Sequence, residues 1–318
     1  MSLKIEDRWL RETYVDLLID AAKKNDSIVL CEADLSKAGG TVRFKTQFPD
    51  RLFDVGVAEA NMIGIASGLS CMGLIPFTHT FTPFSTRRCC DQITLSVAYA
   101  KLNVKIMGSD PGVTAELNGG THMSMEDIAI MRNIPGMVVY EPVDSVQLKA
   151  IFPQIIEHYG PVYIRLLRRA AVQVFSEGTE FTLGKGCRIA DGNDVSIFAS
   201  GLEVAEAVDA AEMLKNEGIS AEVINIHTIK PIDREIILES VRKTGCAVSA
   251  ENHSILNGLG SAIAETLCDE YPAPLKRVGV TDHFGEVGKT DYLMEKYHLK
   301  AADIAEAAKK SIMAKKKG

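Results

Sequence analysis

The sequence predicts an α/β protein built from two open-sheet units, the second smaller than the first. Short apolar runs alternate with helical patterns along most of the chain, which is the signature of βαβ units and parallel sheets. The alternation lapses once, over Phe175–Asp194, where Gly, Thr and charged residues dominate. The chain has 318 residues, 46% hydrophobic and 24% charged, enough for two buried cores. The boundaries read from the pattern are 1–175 for the first unit and 186–318 for the second.

In the first unit the predicted strands are Ile28–Cys31, Leu52–Val55, Leu74–Phe77, Val104–Met107, Met137–Tyr140 and Val162–Leu166. Each is rich in β-branched or aromatic residues and too short for an ordinary helix. Helical spacing of apolar residues fills the intervals at Glu12–Lys24, Ala58–Met72, Thr86–Leu102, Glu126–Asn133 and Ser145–His158. The lapse reads as a linker with a short hairpin. The second unit continues with strands Val195–Ala199, Ala221–Ile226, Cys246–Ala250 and Leu275–Val280. Its helices are expected at Leu202–Asn216, Asp233–Lys243, Leu259–Glu270, near Asp291–Lys296, and at Ala302–Ala314.

A net charge of −7 argues against a nucleic-acid surface. The basic run Lys315–Lys317 reads as a solubilising terminus. No apolar run is long enough to span a bilayer. The N-terminal MSLKIEDRWL carries charge where a signal peptide needs an apolar core, so a cytoplasmic location is expected. Seven cysteines without a CxxC pair suit a reducing compartment and read as packing residues. The histidines are scattered, and no metal site is expected on this chain.

Chemistry concentrates in four segments that follow strand ends, where open α/β sheets bind ligands. They are Cys31–Ser36 (CEADLS), the turn into Glu59 in RLFDVGVAEANMIGIASG, His79–Arg88 (HTFTPFSTRR) and Ser109–Ser124 (SDPGVTAELNGGTHMS). Glu59 is the single acid at the start of an otherwise apolar helix. A carboxyl in a dry pocket is pushed towards its neutral form and can then donate a hydrogen bond. Phe81 and Phe84 lie three apart, and His122 sits in a glycine-rich loop.

In order and character these four segments resemble the pyrimidine-binding domain of transketolases, and the second unit resembles the transketolase C-terminal domain. The resemblance implies thiamine diphosphate as cofactor, with Glu59 at the pyrimidine N1′ as the proton donor that activates the ring. It implies that Phe81 and Phe84 wall the pyrimidine, Phe84 as the stacking ring, and that Asp34 and Leu35 of the Ala33-Asp34-Leu35 motif lie near the cofactor. His122 of Gly119-Gly120-Thr121-His122 would face the reacting carbon. Arg168 aligns with the family's substrate-anion arginine, suited to gripping phosphate bidentately. Glu59 and His122 are thus the expected catalytic residues, and His122, Asn118, Arg168 and His79 the substrate-binding ones.

The chain departs from the family around the substrate. Ser109-Asp110 replaces a His-Asp pair, Asn118 an aspartate, Ala38 a serine, and His79 a glycine. The sugar, and whether it is phosphorylated, are therefore left open. The family's GDG motif, which holds the diphosphate through Mg²⁺, does not occur, and Asp191-Gly192-Asn193-Asp194 reads as a turn. The resemblance then implies a partner subunit carrying the diphosphate and Mg²⁺ site, and an α₂β₂ assembly. The strand-to-helix turn Glu251–Gly260 is similar to an E-x-H segment of the family. It could bind an anion at the helix start or serve simply as a tight turn.

The expected function is that of the C-terminal subunit of a split transketolase, moving a two-carbon ketol unit from a ketose to an aldose. Two enzymes of the same architecture are the alternatives: a 2-oxo-acid dehydrogenase β-subunit and a 1-deoxyxylulose-5-phosphate synthase-like enzyme. Asp91-Gln92 is similar to the latter branch. A degenerate structural or regulatory pyrimidine domain is the non-enzymatic alternative.

Overall fold

A computed structural model describes residues 3–316. The first two residues of the N-terminal segment, and Lys317 of the basic tail, lie outside the described residues. The larger sheet contains β2 (Ile28–Glu32), β3 (Leu52–Asp54), β4 (Ile75–Phe81), β5 (Lys105–Ser109), β6 (Val138–Tyr140) and β7 (Val162–Leu166), after an N-terminal strand β1 (Lys4–Trp9). These six strands are parallel, in the order β6-β7-β5-β4-β2-β3. β2 has β3 on one side and β4 on the other, so the chain reverses its direction of travel at β2. Open sheets leave a crevice for ligands at the carboxyl ends of strands around such a point. Glu32 and His79 are register partners there.

The second sheet has the order β14-β13-β10-β11-β9. Its strands are β9 (Cys187–Ala190), β10 (Val195–Ala199), β11 (Ala221–Asn225), β13 (Ala247–Ser254) and β14 (Leu275–Val280). The mixed α/β class with parallel open sheets is therefore as predicted. The central strands β2, β5, β7, β10 and β11 are buried along their whole length, as sheets covered on both faces require.

The main differences from the sequence pattern are four. β1 pairs antiparallel with β8 (Ala170–Gln173), and neither strand was expected. The Phe175–Asp194 segment holds no hairpin: β9 alone joins the second sheet, antiparallel to β11. Thr86–Leu102 is not one helix. It is a 3₁₀ turn at Arg87–Cys89, a short α-turn at Cys90–Gln92 and a π-helix at Ile93–Tyr99. Finally β12 (Thr228–Lys230), which follows β11 in the second unit, adds to the first sheet antiparallel to β6. Of the cysteines, Cys31, Cys89 and Cys246 are buried as expected, whereas Cys71 and Cys268 are exposed.

A buried ionic network also joins the two units. Arg165 on β7 is fully buried and donates to Asp127 from Nε (2.7 Å) and Nη2 (3.2 Å). It also pairs with Glu141 and donates to the Asn252 carbonyl on β13 (2.7 Å). Tyr163 donates to the same Asp127 (2.8 Å) and Ser200 to Glu141 (2.8 Å). A buried guanidinium is tolerable only with its charge and donors matched in this way.

Candidate active site

The site is built on the carboxyl ends of β2, β4, β5 and β7. β4 runs directly into a short turn, Thr82–Ser85, with Pro83 in its first positions. Pro favours such a start because its missing N–H is not needed there. The turn throws Phe84 back beside Phe81, with centroids 6.2 Å apart and planes at 67°. His122 meets both rings edge-on, 5.7 Å from Phe81 and 5.1 Å from Phe84. Its Nδ1 lies 2.9 Å from Thr121 Oγ1. The three rings form a half-buried aromatic cup.

Glu59 opens the helix Glu59–Cys71 and is 4% exposed. It is not a lone acid in an apolar pocket, as the sequence suggested. Arg88 Nη1 donates to Glu59 Oε1 at 2.6 Å, and the Arg88 guanidinium lies 3.8 Å from the Phe84 ring centroid. Glu59 and Phe84 together therefore hold a flat, cationic, hydrogen-bonding group. Arg88 escaped the sequence reading, although its place four residues after Phe84 was a usable signal.

On the other side of the cup, the Arg168 guanidinium carbon lies 5.7 Å from the Phe81 centroid, and Arg168 Nε lies 3.0 Å from Asp110 Oδ2. Asp110 is fully buried. Desolvation pushes its carboxyl up to about 6, against the pull of Arg168, Arg169, His79 and Arg11. His79, also buried, points its Nδ1 at Glu32 Oε1 across 2.6 Å, and Thr41 donates to the same oxygen. The ring fits because Gly39 has no Cβ; one added there would collide with it. Glu32 was missed by the sequence reading. Its only signal was an acid ending an apolar strand.

The structure thus brings Glu59, Phe84, His122, Phe81 and Arg168 into one contiguous surface. His79 and Asp110 lie beside it. Asp34, Leu35 and Asn118 stand apart from these contacts. Asp34 is exposed, and its backbone N–H donates to Asp54 Oδ1 at 3.0 Å. Leu35 is half-buried at the entry to the turn Ser36–Gly39, and Asn118 is exposed. At Glu251–Gly260 the helix N-terminus is already filled. The Glu251 carboxylate accepts from Leu259 N (2.7 Å) and Gly260 N (2.8 Å). Burial pushes this carboxyl up to about 7 despite those two donors.

Two open, mostly parallel α/β units with an aromatic, acid-bearing cleft at the strand ends place the protein in the doubly wound class, with the cleft where that class binds its ligands. The family described as transketolase, pyrimidine binding domain, matches residues 9–173, and that described as transketolase, C-terminal domain, matches residues 184–304. The chain belongs to the transketolase family, and it is a transketolase-type transferase subunit corresponding to the C-terminal part of the split enzymes.

A 6-deoxy-6-sulfo-D-fructose transketolase subunit SqwH from Clostridium sp. (strain MSTE9) is 64% identical over 306 residues, 96% of this chain and 95% of that one. A putative transketolase C-terminal section from Methanocaldococcus jannaschii is 44% identical, covering 94% of each chain. Among solved structures, a split gene transketolase described as an inactive beta4 tetramer superposes with a TM-score of 0.89 at 44% identity, over 98% of this chain and 100% of that one. A 1-deoxy-D-xylulose-5-phosphate synthase from Geobacter sulfurreducens is more distant, 36% identical, and the chain spans 48% of its length. The family implies thiamine diphosphate dependence. No helix among the described residues is long and apolar enough to cross a membrane.

Proposed function

We propose that this chain completes a transketolase active site with an N-terminal partner subunit, transferring a two-carbon ketol unit from an anionic ketose to an aldose. The observation that carries the reading is the grip of Glu59 and Phe84 on the Arg88 guanidinium. A surface that holds one flat, cationic donor by its face and its edge fits the aminopyrimidine of thiamine diphosphate. Phe84 would stack on the ring and Phe81 would close its side, while Asp34 and Leu35, apart from this surface, would lie towards the rest of the cofactor. The cofactor, when bound, supplies a nucleophilic carbon and an electron sink for the C–C cleavage. Glu59 would hold the proton at the pyrimidine N1′. His122 would hydrogen-bond or protonate the substrate oxygens above the aromatic cup.

Arg168 would meet the sugar, with His79 buried behind that contact on Glu32. The guanidinium suits phosphate and sulfonate alike, and the name of the 64% identical relative supports an anionic ketose. Nothing on this chain matches the GDG motif, so the diphosphate and its Mg²⁺ belong to the partner. Pairing of two such two-subunit units would give an α₂β₂ assembly, with a cytoplasmic location.

The test is reconstitution. The chain is mixed with a GDG-bearing partner, thiamine diphosphate and Mg²⁺, and ketol transfer is assayed. Activity is expected only in the mixture, and full activity of the chain alone would overturn the proposal.

A further inference from the structure

The loop that presents His122 belongs to the first unit, yet its fixed points come largely from the second. At its base, Asn252 Oδ1 accepts from Val113 N and Asn252 Nδ2 donates to Pro111 O, both at 3.0 Å. Gly112, at φ +53°, packs so closely that a Cβ would collide with Asn252. At its tip, a Cβ on Gly120 would strike the Gly285 carbonyl, and one on Gly285 would strike Met123. The segment around Gly285 is itself tied down, since Tyr297 Oη donates to the Phe284 carbonyl at 3.0 Å. At the exit, Ser254 N donates to the Met125 carbonyl at 2.9 Å.

Between base and tip stands Glu116, with φ 49° and ψ −116°. A residue with a Cβ avoids this region and stays there only when its surroundings over-determine it. Here the surroundings act through the side chain. Glu116 Oε1 accepts from Thr290 N (3.2 Å) and Thr290 Oγ1 (2.6 Å), and the other oxygen pairs with Arg169. Thr290 begins the helix Thr290–Lys296 of the second unit. Immediately after this turn, Gly119 (φ +76°) reverses the chain, and His122 N bonds back to the Gly119 carbonyl at 3.0 Å. Glu116 thus lies six residues before His122 in the same braced loop.

We propose that Glu116, latched to Thr290, is a positioning residue for His122, and that the C-terminal unit thereby tunes the active site. This rests on the reading of His122 as the residue above the reacting carbon. Thr290→Val keeps the size and the backbone donor but removes the hydroxyl bond. In the reconstituted two-subunit enzyme it should lower kcat about tenfold while KM for the ketose stays within twofold and the melting point barely moves. Thr290→Ser should restore kcat. Amide hydrogen exchange at residues 117–123 should accelerate in Thr290→Val and return to normal in Thr290→Ser.

Unchanged exchange in Thr290→Val overturns the brace whatever the activity. A kcat loss that Thr290→Ser does not restore, or that tracks a fall in melting point, overturns the positioning role. Wild-type turnover in His122→Ala overturns the reading of His122 on which the proposal rests, and exchange data separate that failure from failure of the brace.

Discussion

Replacing Glu59 by Gln keeps the side chain's shape while removing both its charge and its acidic proton. The two losses act on different quantities. The charge matters to folding through Arg88, 2.6 Å away. A charge-assisted bond contributes about 1.5–3 kcal/mol when sheltered. The Arg88 side chain is 44% exposed, so solvent screens the pair and about 1 kcal/mol remains. For a chain of this size that lowers the melting point by about 1–2 °C. The proton matters to turnover. A positioned acid–base group contributes about 10²–10⁴-fold in rate, or about 3–5 kcal/mol of barrier. The rate effect should therefore exceed the stability effect several-fold in energy. The assay pairs thermal melts of the subunit with ketol transfer by the reconstituted enzyme at saturating cofactor. Arg88→Met serves as the stability control and should reproduce the melting shift. If Glu59→Gln turns over within a factor of two of wild type, Glu59 is only the partner of Arg88 at a helix start, and the acid assignment fails.

Two further outcomes follow from the other side of the cup. Arg168→Ala should raise KM for an anionic ketose about 10–100-fold, the worth of a charge-assisted pair, and leave glycolaldehyde as acceptor nearly unaffected; an equal loss with both would refute anion binding. Asp110 holds its proton up to about pH 6 when folded, against about 3.9 unfolded, so the native state binds the extra proton in between. Stability then falls as pH rises from about 4 to about 6, by an amount on the order of 2–3 kcal/mol. Asp110→Asn should flatten that part of the melting-point profile, and parallel profiles for the two proteins would count against the buried-acid account.

The strands of both sheet cores were legible because a strand covered on both faces must be apolar throughout. β1 was not, since Lys4–Trp9 is largely exposed and carries no alternating pattern. The π-helix at Ile93–Tyr99 was read as part of an α-helix because apolar content does not report hydrogen-bond spacing. The residues of the site could be named one at a time, since each sits at a strand end or in a glycine-rich loop. Their partners could not. Arg88 on Glu59, Glu32 on His79 and Thr290 on Glu116 are contacts across 29, 47 and 174 positions of chain. Such distances are bridged by topology, and no local pattern encodes them.

The placement of β12 bears on how the protein is made. On the ribosome the chain emerges from its N-terminus at roughly 5–20 residues per second. The first unit's own strands end at β6, whose outer edge is closed, among the described residues, by Thr228–Lys230. All of β6 to β11 must be translated before that closing strand leaves the exit tunnel. Until then β6 offers unpaired backbone groups to any neighbouring strand, including those of nascent chains on the same message. A protein trimmed at the linker near residue 180 would carry that open edge permanently. Expression of the first unit alone is therefore a poor route to a well-behaved fragment, and stop codons between the two units would release an aggregation-prone product.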